Sequence, residues 1–415
     1  MEAFPPVVEI DARIRALSPQ QRRLLQERLA ARSQPPEPPG QVPAPPRLRH
    51  GGQPLKWSLF FFSAGGDHTT AEHYAFLLDC ARFADRNGFE AIWLPERHFD
   101  SFGGPYPAPA ILAGAVSAVT EHVGIRAGSV VLPLHDPIRV AEEWAVVDNL
   151  SGGRTGVSFA SGWHPNDFAL SPDAYADRRD RTVRGIRQLR ELWRGNTIER
   201  RDGAGTLIGI GTLPRPVQPE IPLWITASSS PETWRTGARE GLHVLTALLE
   251  QSTAELAEKA ALYRDELRAA GRDPDEHAVT AMLHTFVGPD QEAVRRTVHA
   301  PLVGYLRSHM ELFAKLASSK DVAIDPAKVS AADRAALAEL AFERYFTTNG
   351  LFGTPESALP RVRELAASGV TEIACLVDFG VPPQEVLANL VHLQELRQAA
   401  EAAGVLALGG AGAQA

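Results

Sequence analysis

Four short runs in this chain carry side chains able to do chemistry. The first, Pro95-Glu96-Arg97-His98-Phe99, sets three ionisable residues in a row directly after an apolar stretch. Glu96 can pair with or orient its neighbours, and a histidine such as His98 can act as acid or base, so the run has the parts of an acid–base group. A surface ion pair with an incidental histidine is the plainer account of the same residues. The second run, Gly128-Ser129, interrupts β-branched residues and calls for either a bulge or a close approach of backbone to ligand. The third, Ser161-Gly162-Trp163-His164, offers small residues followed by an aromatic and a second histidine. It suits a wall beside a flat ligand, or a capped turn before a helix. The fourth, Ser228-Ser229-Ser230-Pro231, reads as the start of a helix with hydroxyls beside free backbone N–H groups. Such an end seats anions, although a plain serine N-cap would look the same. Arg178 and Arg179 are candidate helpers for an anion there.

No Ser-His-Asp order, paired-carboxylate motif, phosphate-binding P-loop or zinc-type Cys/His spacing is present. Small residues, aromatics, histidines and an anion seat together fit an organic phosphate cofactor better than a hydrolytic nucleophile.

Composition narrows the classes further. The 415 residues are 44% apolar and 22% charged, enough for a large core without staples. With 42 basic and 50 acidic residues the net charge is −8, which argues against a nucleic-acid or anionic-lipid footprint. The two cysteines, Cys80 and Cys375, cannot make a disulfide framework. The N-terminus carries acid and proline where a signal peptide needs a basic start and an apolar stretch. No apolar run approaches the ~20 residues of a membrane helix. The expectation is a cytoplasmic protein without metal or membrane contact.

The elements that must hold these runs can be read from periodicity. Eight short apolar stretches are expected strands: 57–63, 91–94, 125–132, 155–160, 223–227, 243–247, 279–287 and 372–377. Amphipathic segments at 71–87, 107–120, 138–149, 178–193, 231–240, 253–270, 358–367 and 383–402 are expected helices. Strand–helix alternation on this scale predicts an α/β fold, a (β/α)8 TIM barrel with parallel strands. An open doubly wound sheet would announce itself with a Gly-rich turn after the first strand, and Ser63-Ala64-Gly65-Gly66 is not one. Two stretches exceed the minimal barrel. The Gly-rich segment 196–219 predicts a hairpin after strand four. The segment 288–355, with helix formers at 302–316 and 331–344, predicts a helical insertion after strand seven. Outside the barrel domain, 51–403, lie a leader (1–50) and a Gly/Ala-rich tail (404–415). The leader comprises a short helix and a Pro-rich linker with seven prolines between Ser33 and Pro46, and reads as either a disordered arm or a docking segment.

At this point the runs Trp93 to Phe99, Gly128 to Pro137, Val147 to Arg154, Ser158 to Phe168 and Leu351 to Ser357 can be taken as a set. The set resembles the bacterial-luciferase-like FMN-dependent monooxygenases, in the branch found with polyketide and nonribosomal-peptide natural product biosynthesis. The resemblance covers roughly residues 56–398. It implies a barrel that binds reduced FMN at the C-terminal strand ends, with Ser63 and Ala64 lining the ring, on the side of the mouth where Trp163 reads as a wall for a flat ligand. It also implies a non-proline cis peptide at Gly128-Ser129 and a phosphate clamp at Ser228, Ser229 and Ser230. Ser161 stands where luciferases carry a phosphate-contacting arginine. Arg97 stands where they carry a histidine next to the flavin, with His98 retained. Light emission is therefore not carried over.

The resemblance further implies an oxidoreductase that takes FMN from a separate flavin reductase and uses O2 as co-substrate. Arg97 and His98 would manage charge and protons, Glu96 would orient them, and His164 is a further candidate. The substrate class implied is a biosynthetic acyl or aminoacyl group, held on an acyl or peptidyl carrier protein, and the assembly implied is a homodimer. Two other readings stand beside it. One is a deazaflavin-dependent hydride-transfer oxidoreductase of related fold; the other is a non-catalytic flavin-binding or docking protein of an assembly line.

Overall fold

The structure, a computed structural model, describes residues 49–62, 70–100, 105–162, 164–248, 251–308 and 339–409. Strands and helices alternate from β1 (Lys56–Phe60) and α1 (Thr70–Arg86) to β2 (Ala91–Leu94) and α2 (Pro109–Ser117). Then come β3 (Gly124–Val131), α3 (Pro137–Ser151), β4 (Thr155–Ala160) and α4 (Arg178–Arg194). An antiparallel hairpin, β5 (Ile198–Arg201) with β6 (Leu207–Ile210), precedes β7 (Leu223–Thr226) and α5 (Pro231–Glu240). The chain continues through β8 (His243–Ala247), α6 (Thr253–Ala269), β9 (Val279–Val287) and α7 (Gln291–Ser308). It finishes with β10 (Leu351–Gly353), α8 (Pro355–Ala367), β11 (Glu372–Leu376) and α9 (Pro383–Ala402).

Eight of these strands close on themselves. Parallel ladders run β11-β1-β2-β3-β4-β7-β8, and β9 pairs with both β8 and β11 to complete the ring. The fold is a (β/α)8 barrel, as the alternation predicts. β10 is a short extra strand, parallel to the end of β9. Local signals place the helix ends. Asp136 accepts from the Ile138 N–H ahead of Pro137, and Gly152 at φ 68° ends α3. Ser252 and Glu255 form a capping box on α6.

The insertion after β9 differs from its sequence reading. α7 begins about a turn after β9 rather than at 302, because Asp290 accepts from the Ala293 N–H and caps a helix that carries Pro301 within it. Residues 309–338 lie outside the described residues, as do the leader helix and linker up to residue 48. The chain then resumes as helix into a π-helical turn at Tyr345–Asn349.

The core has an outer and an inner layer. Outside the strands, Trp144, Trp193, Trp234 and Tyr263 from the helices are buried against them. Inside, near the strand starts, Arg126 on β3 reaches Glu372 on β11, with two strands between them, at 2.8 and 2.9 Å. Trp93 donates to the same carboxylate, and the Arg126 guanidinium lies over the rings of Trp93 and Trp224. This paired charge plugs the floor, so any ligand must enter at the other end. Among the described residues no helix is long and apolar enough to cross a membrane.

Candidate active site at the C-terminal mouth

Three of the four runs read from sequence follow the C-terminal ends of β2, β4 and β7, and Gly128-Ser129 lies within β3 towards the same rim. The loop after β2 carries Glu96, whose side chain is fully enclosed. One oxygen, Oε1, accepts from Nε2 of His98 at 2.8 Å and from Nε2 of His135 at 2.6 Å; the other accepts the Val131 N–H at 2.7 Å. Burial alone would raise the Glu96 pKa, but hydrogen bonds from His135, His98 and Val131 outweigh it and hold the carboxyl below its usual range. Burial would lower the His135 pKa, yet the Glu96 hydrogen bond and charge raise it above the ordinary histidine value. His135, after β3, is a site residue that the sequence reading did not single out. Its signal was the Leu134-His135-Asp136-Pro137 run opening a helix.

Arg97 lies between two carboxylates. Its side chain is only 3% exposed; Nη1 donates to both oxygens of Asp167 at 3.0 and 2.8 Å, and Nη2 donates to Asp100 at 3.0 Å. Two carboxylates therefore balance its charge. Through Asp167 it holds the 3-10 turn Pro165–Leu170 that follows β4. His164 directly precedes that turn and is half-buried.

The Gly128-Ser129 peptide is cis. The ladder between β3 and β4 shifts at this point, so Ser129 is the extra residue of a bulge and points inward beside Gly128. A Cβ on Gly128 would lie 2.8 Å from Phe60 and 2.9 Å from Trp93, so packing inside the barrel demands glycine. The Ser129 hydroxyl meets Thr226 Oγ1, which in turn lies 2.8 Å from Ser158 Oγ. Three hydroxyls from adjacent strands β3, β4 and β7 thus form a cluster just below the mouth, which the sequence separates widely.

Ser161 is half-buried beside Gly162, whose φ of 77° suits glycine and whose Cβ would collide with Phe168. Arg178 Nε donates to the Gly162 carbonyl at 3.3 Å, so this arginine does reach the loop after β4; Arg179 is exposed. Next to that loop, after β7, Ser228 and Ser229 are exposed and Ser230 is the N-cap of α5. No side chain caps this helix. Its first-turn N–H groups, with Pro231 at the first position, fit a phosphate held by neutral donors. Ser63, Ala64 and Trp163 lie outside the described residues.

A second buried cluster closes the rim between β11 and β2. The Tyr106 hydroxyl donates to Asp378 at 2.7 Å, and His73 Nε2 lies 2.6 Å from that hydroxyl and 3.1 Å from Asp378. Burial, reinforced by Asp378, pushes the Tyr106 pKa well up, so its proton stays on. Sequence reasoning missed all three, because they come from α1, the β2–α2 loop and the end of β11.

Chemically, the mouth offers uncapped helix donors for a phosphate, a hydroxyl-lined wall for a flat ring, and a carboxylate bearing two imidazoles for proton handling. A sequence profile described as "Luciferase-like monooxygenase" matches residues 54–372. The oxygenase component of flavin-dependent trigonelline monooxygenase from Acinetobacter baylyi is 24% identical over 82% of this chain and 93% of its own length. The crystal structure of monooxygenase RslO1 from Streptomyces bottropensis superposes with a TM-score of 0.67 at 24% identity, covering 82% of this chain and 98% of that one. The oxygenating constituent of 3,6-diketocamphane monooxygenase from Pseudomonas putida, solved with FMN, does so with a TM-score of 0.68 at 17% identity, covering 86% and 99%. A profile match across most of the barrel establishes that this chain belongs to the luciferase-like family of FMN-dependent monooxygenases.

Proposed function

We propose that the chain is the oxygenase of a two-component system. It takes reduced FMN from a separate flavin reductase and inserts one atom of O2 into a biosynthetic acyl or aminoacyl intermediate presented on a carrier protein. Hydroxylation is the first reaction to test and Baeyer–Villiger-type insertion the second. The observation that carries the reading is the uncapped start of α5 at Ser230 on the same rim as Ser129 and Glu96. Reduced FMN, when bound, supplies the electrons that activate O2.

The chain's own residues do the rest. The N–H groups after Ser228, Ser229 and Ser230 hold the phosphate, with Arg178 reaching the neighbouring loop where Ser161 stands. Gly128-Ser129, backed by Ser158 and Thr226, supplies a firm polar wall for the ring. His98, with Nε2 tied to Glu96, exchanges a proton at Nδ1. Arg97 fixes the loop that carries Asp167 and His164. Exposed Val146 and Leu150, one turn apart on α3, with Ile111 on α2, are the apolar surface proposed to bury a second copy in a homodimer.

The test is a titration with FMN, oxidised and reduced, beside a deazaflavin, followed by turnover of carrier-tethered acyl groups under labelled dioxygen. FMN binding and one labelled oxygen in the product are expected, with the label lost in His98→Ala. Binding of the deazaflavin alone, or an unlabelled product, would overturn the reading.

A further inference from the structure

Two imidazoles share a single carboxylate oxygen at the mouth. Glu96 Oε1 receives Nε2 of His98 at 2.8 Å and Nε2 of His135 at 2.6 Å, while Oε2 is taken by the Val131 N–H. An ionised carboxylate only accepts, so both rings must carry hydrogen on Nε2. Nδ1 is then the exchanging atom on each. The two rings differ in their access to water: the His98 side chain is 11% exposed and that of His135 is 33% exposed, while Glu96 between them is at 0%.

We propose that His98, Glu96 and His135 act as one proton-sharing unit in which His135 is the solvent-side positioning residue that sets the charge state available to His98. The proposal deepens the oxygenase reading and rests on it only for where the proton is used. The first proton beyond neutrality makes one imidazolium, and the buried carboxylate stabilises it. A second would put two cations on one oxygen, so the pair takes up its protons in two separated steps that belong to the unit and not to either ring. In the interval between them the unit holds a single extra proton. When His98 gives its Nδ1 proton to a reacting group, it is left neutral with Nε2 still donating to Glu96. The unit then carries only the charge of Glu96, and His135 Nδ1 takes the replacement proton from water.

The other charges facing the unit do not break this coupling. Glu143 on α3 also favours the His135 cation. Asp136, next along the chain, lies 3.9 Å from Arg200. Arg97 is bound by Asp167 and Asp100. The shift of the His135 pKa above its ordinary value and of the Glu96 carboxyl below its own has the sign that such a shared charge requires.

Histidine-selective nitrogen NMR of the full chain, without flavin, tests the unit directly. The His98 and His135 ring signals should follow common two-step curves against pH, and in His98→Gln the His135 curve should collapse to one step. Independent single-step curves in the native chain, or a His135 curve unchanged by His98→Gln, would overturn the proposal. A second arm uses His135→Gln, whose amide can still donate to Glu96. The ratio of native to variant flavin reoxidation rates should then change with pH by several-fold. A constant ratio across pH would mean that His135 serves only to pack the loop and would also overturn the proposal. Failure of FMN to bind, by contrast, would sink the oxygenase reading and leave the NMR result standing.

Discussion

Arg97 grips Asp167 through a single guanidinium nitrogen that reaches both carboxylate oxygens, at 3.0 and 2.8 Å, and both side chains are buried. The arginine lies on the loop after β2 and the aspartate on the turn after β4, so the pair spans β3 and pins two walls of the mouth together. Removing one partner of such a pair leaves an uncompensated buried charge, which costs about 3–5 kcal/mol. Arg97→Ala should therefore lower the unfolding free energy measured in urea by that amount as well as abolish turnover. The double variant with Asp167→Ala should recover part of the stability and none of the turnover. An Arg97→Ala protein as stable as the native chain would show that the pair does not hold the loops.

The start of α5 gives a prediction in which two readouts move in opposite directions. Ser230 occupies the N-cap without a side-chain cap bond. Ser230→Asp places a carboxylate there, which should stabilise the flavin-free protein by about 0.5–1 kcal/mol. The same charge should repel a phosphate and weaken FMN binding about tenfold or more. Calorimetric titration and thermal melting check the two signs; unaltered FMN affinity would place the phosphate elsewhere.

Thr226 sits between two hydroxyls. Thr226→Val keeps the shape and strips the oxygen that meets Ser129 and lies 2.8 Å from the buried Ser158 hydroxyl. Leaving a buried polar group without its partner costs about 1–3 kcal/mol. The variant should lose that much in urea unfolding and bind FMN more weakly, because the wall beside the ring loses its backing. An FMN affinity equal to that of the native chain would remove the hydroxyl cluster from the cofactor site.

At the opposite end of the barrel, three histidines predict acid sensitivity. His50 is enclosed, with its ring 5.4 Å from that of His243, which lies 5.8 Å from that of His277. Burial, with Lys56 adding to it against the pull of Glu372, lowers the His50 pKa from 6.5 to about 4. Burial likewise lowers the His243 and His277 values. Above pH 6.5 both folded and unfolded chains leave His50 neutral. As pH falls from 6.5 towards about 4, the unfolded chain binds a proton that the folded one refuses, so stability drops by up to about 3 kcal/mol from this residue. Urea midpoints measured across that interval should fall with pH and flatten in His50→Gln. An equal slope in the variant would count against it.

Tyr106 tests the second cluster at the mouth. Tyr106→Phe removes the hydroxyl that joins His73 to Asp378 while leaving those two 3.1 Å apart. A loss of about 1–3 kcal/mol is expected, together with faster protease cleavage between β2 and α2, read by limited proteolysis.

Much of this protein is written locally. β-Branched and aromatic runs specify the eight barrel strands, amphipathic spacing specifies the helices between them, and their alternation specifies a parallel barrel. Gly128-Ser129 and Ser230-Pro231 announce a bulge and a helix start, because bulges and caps depend on a few consecutive residues. What the chain order hides is which strand ends face one another. Glu96 and His135 are 39 positions apart, Arg97 and Asp167 are 70, and Tyr106 and Asp378 are 272. Closure of the ring brings them within hydrogen-bond reach. That geometry alone makes Asp167 the partner of Arg97, and joins His135 to His98 through Glu96. Sequence types the groups at the rim; barrel closure, through burial and shared hydrogen bonds, decides which of them are spent on structure and which are left for chemistry.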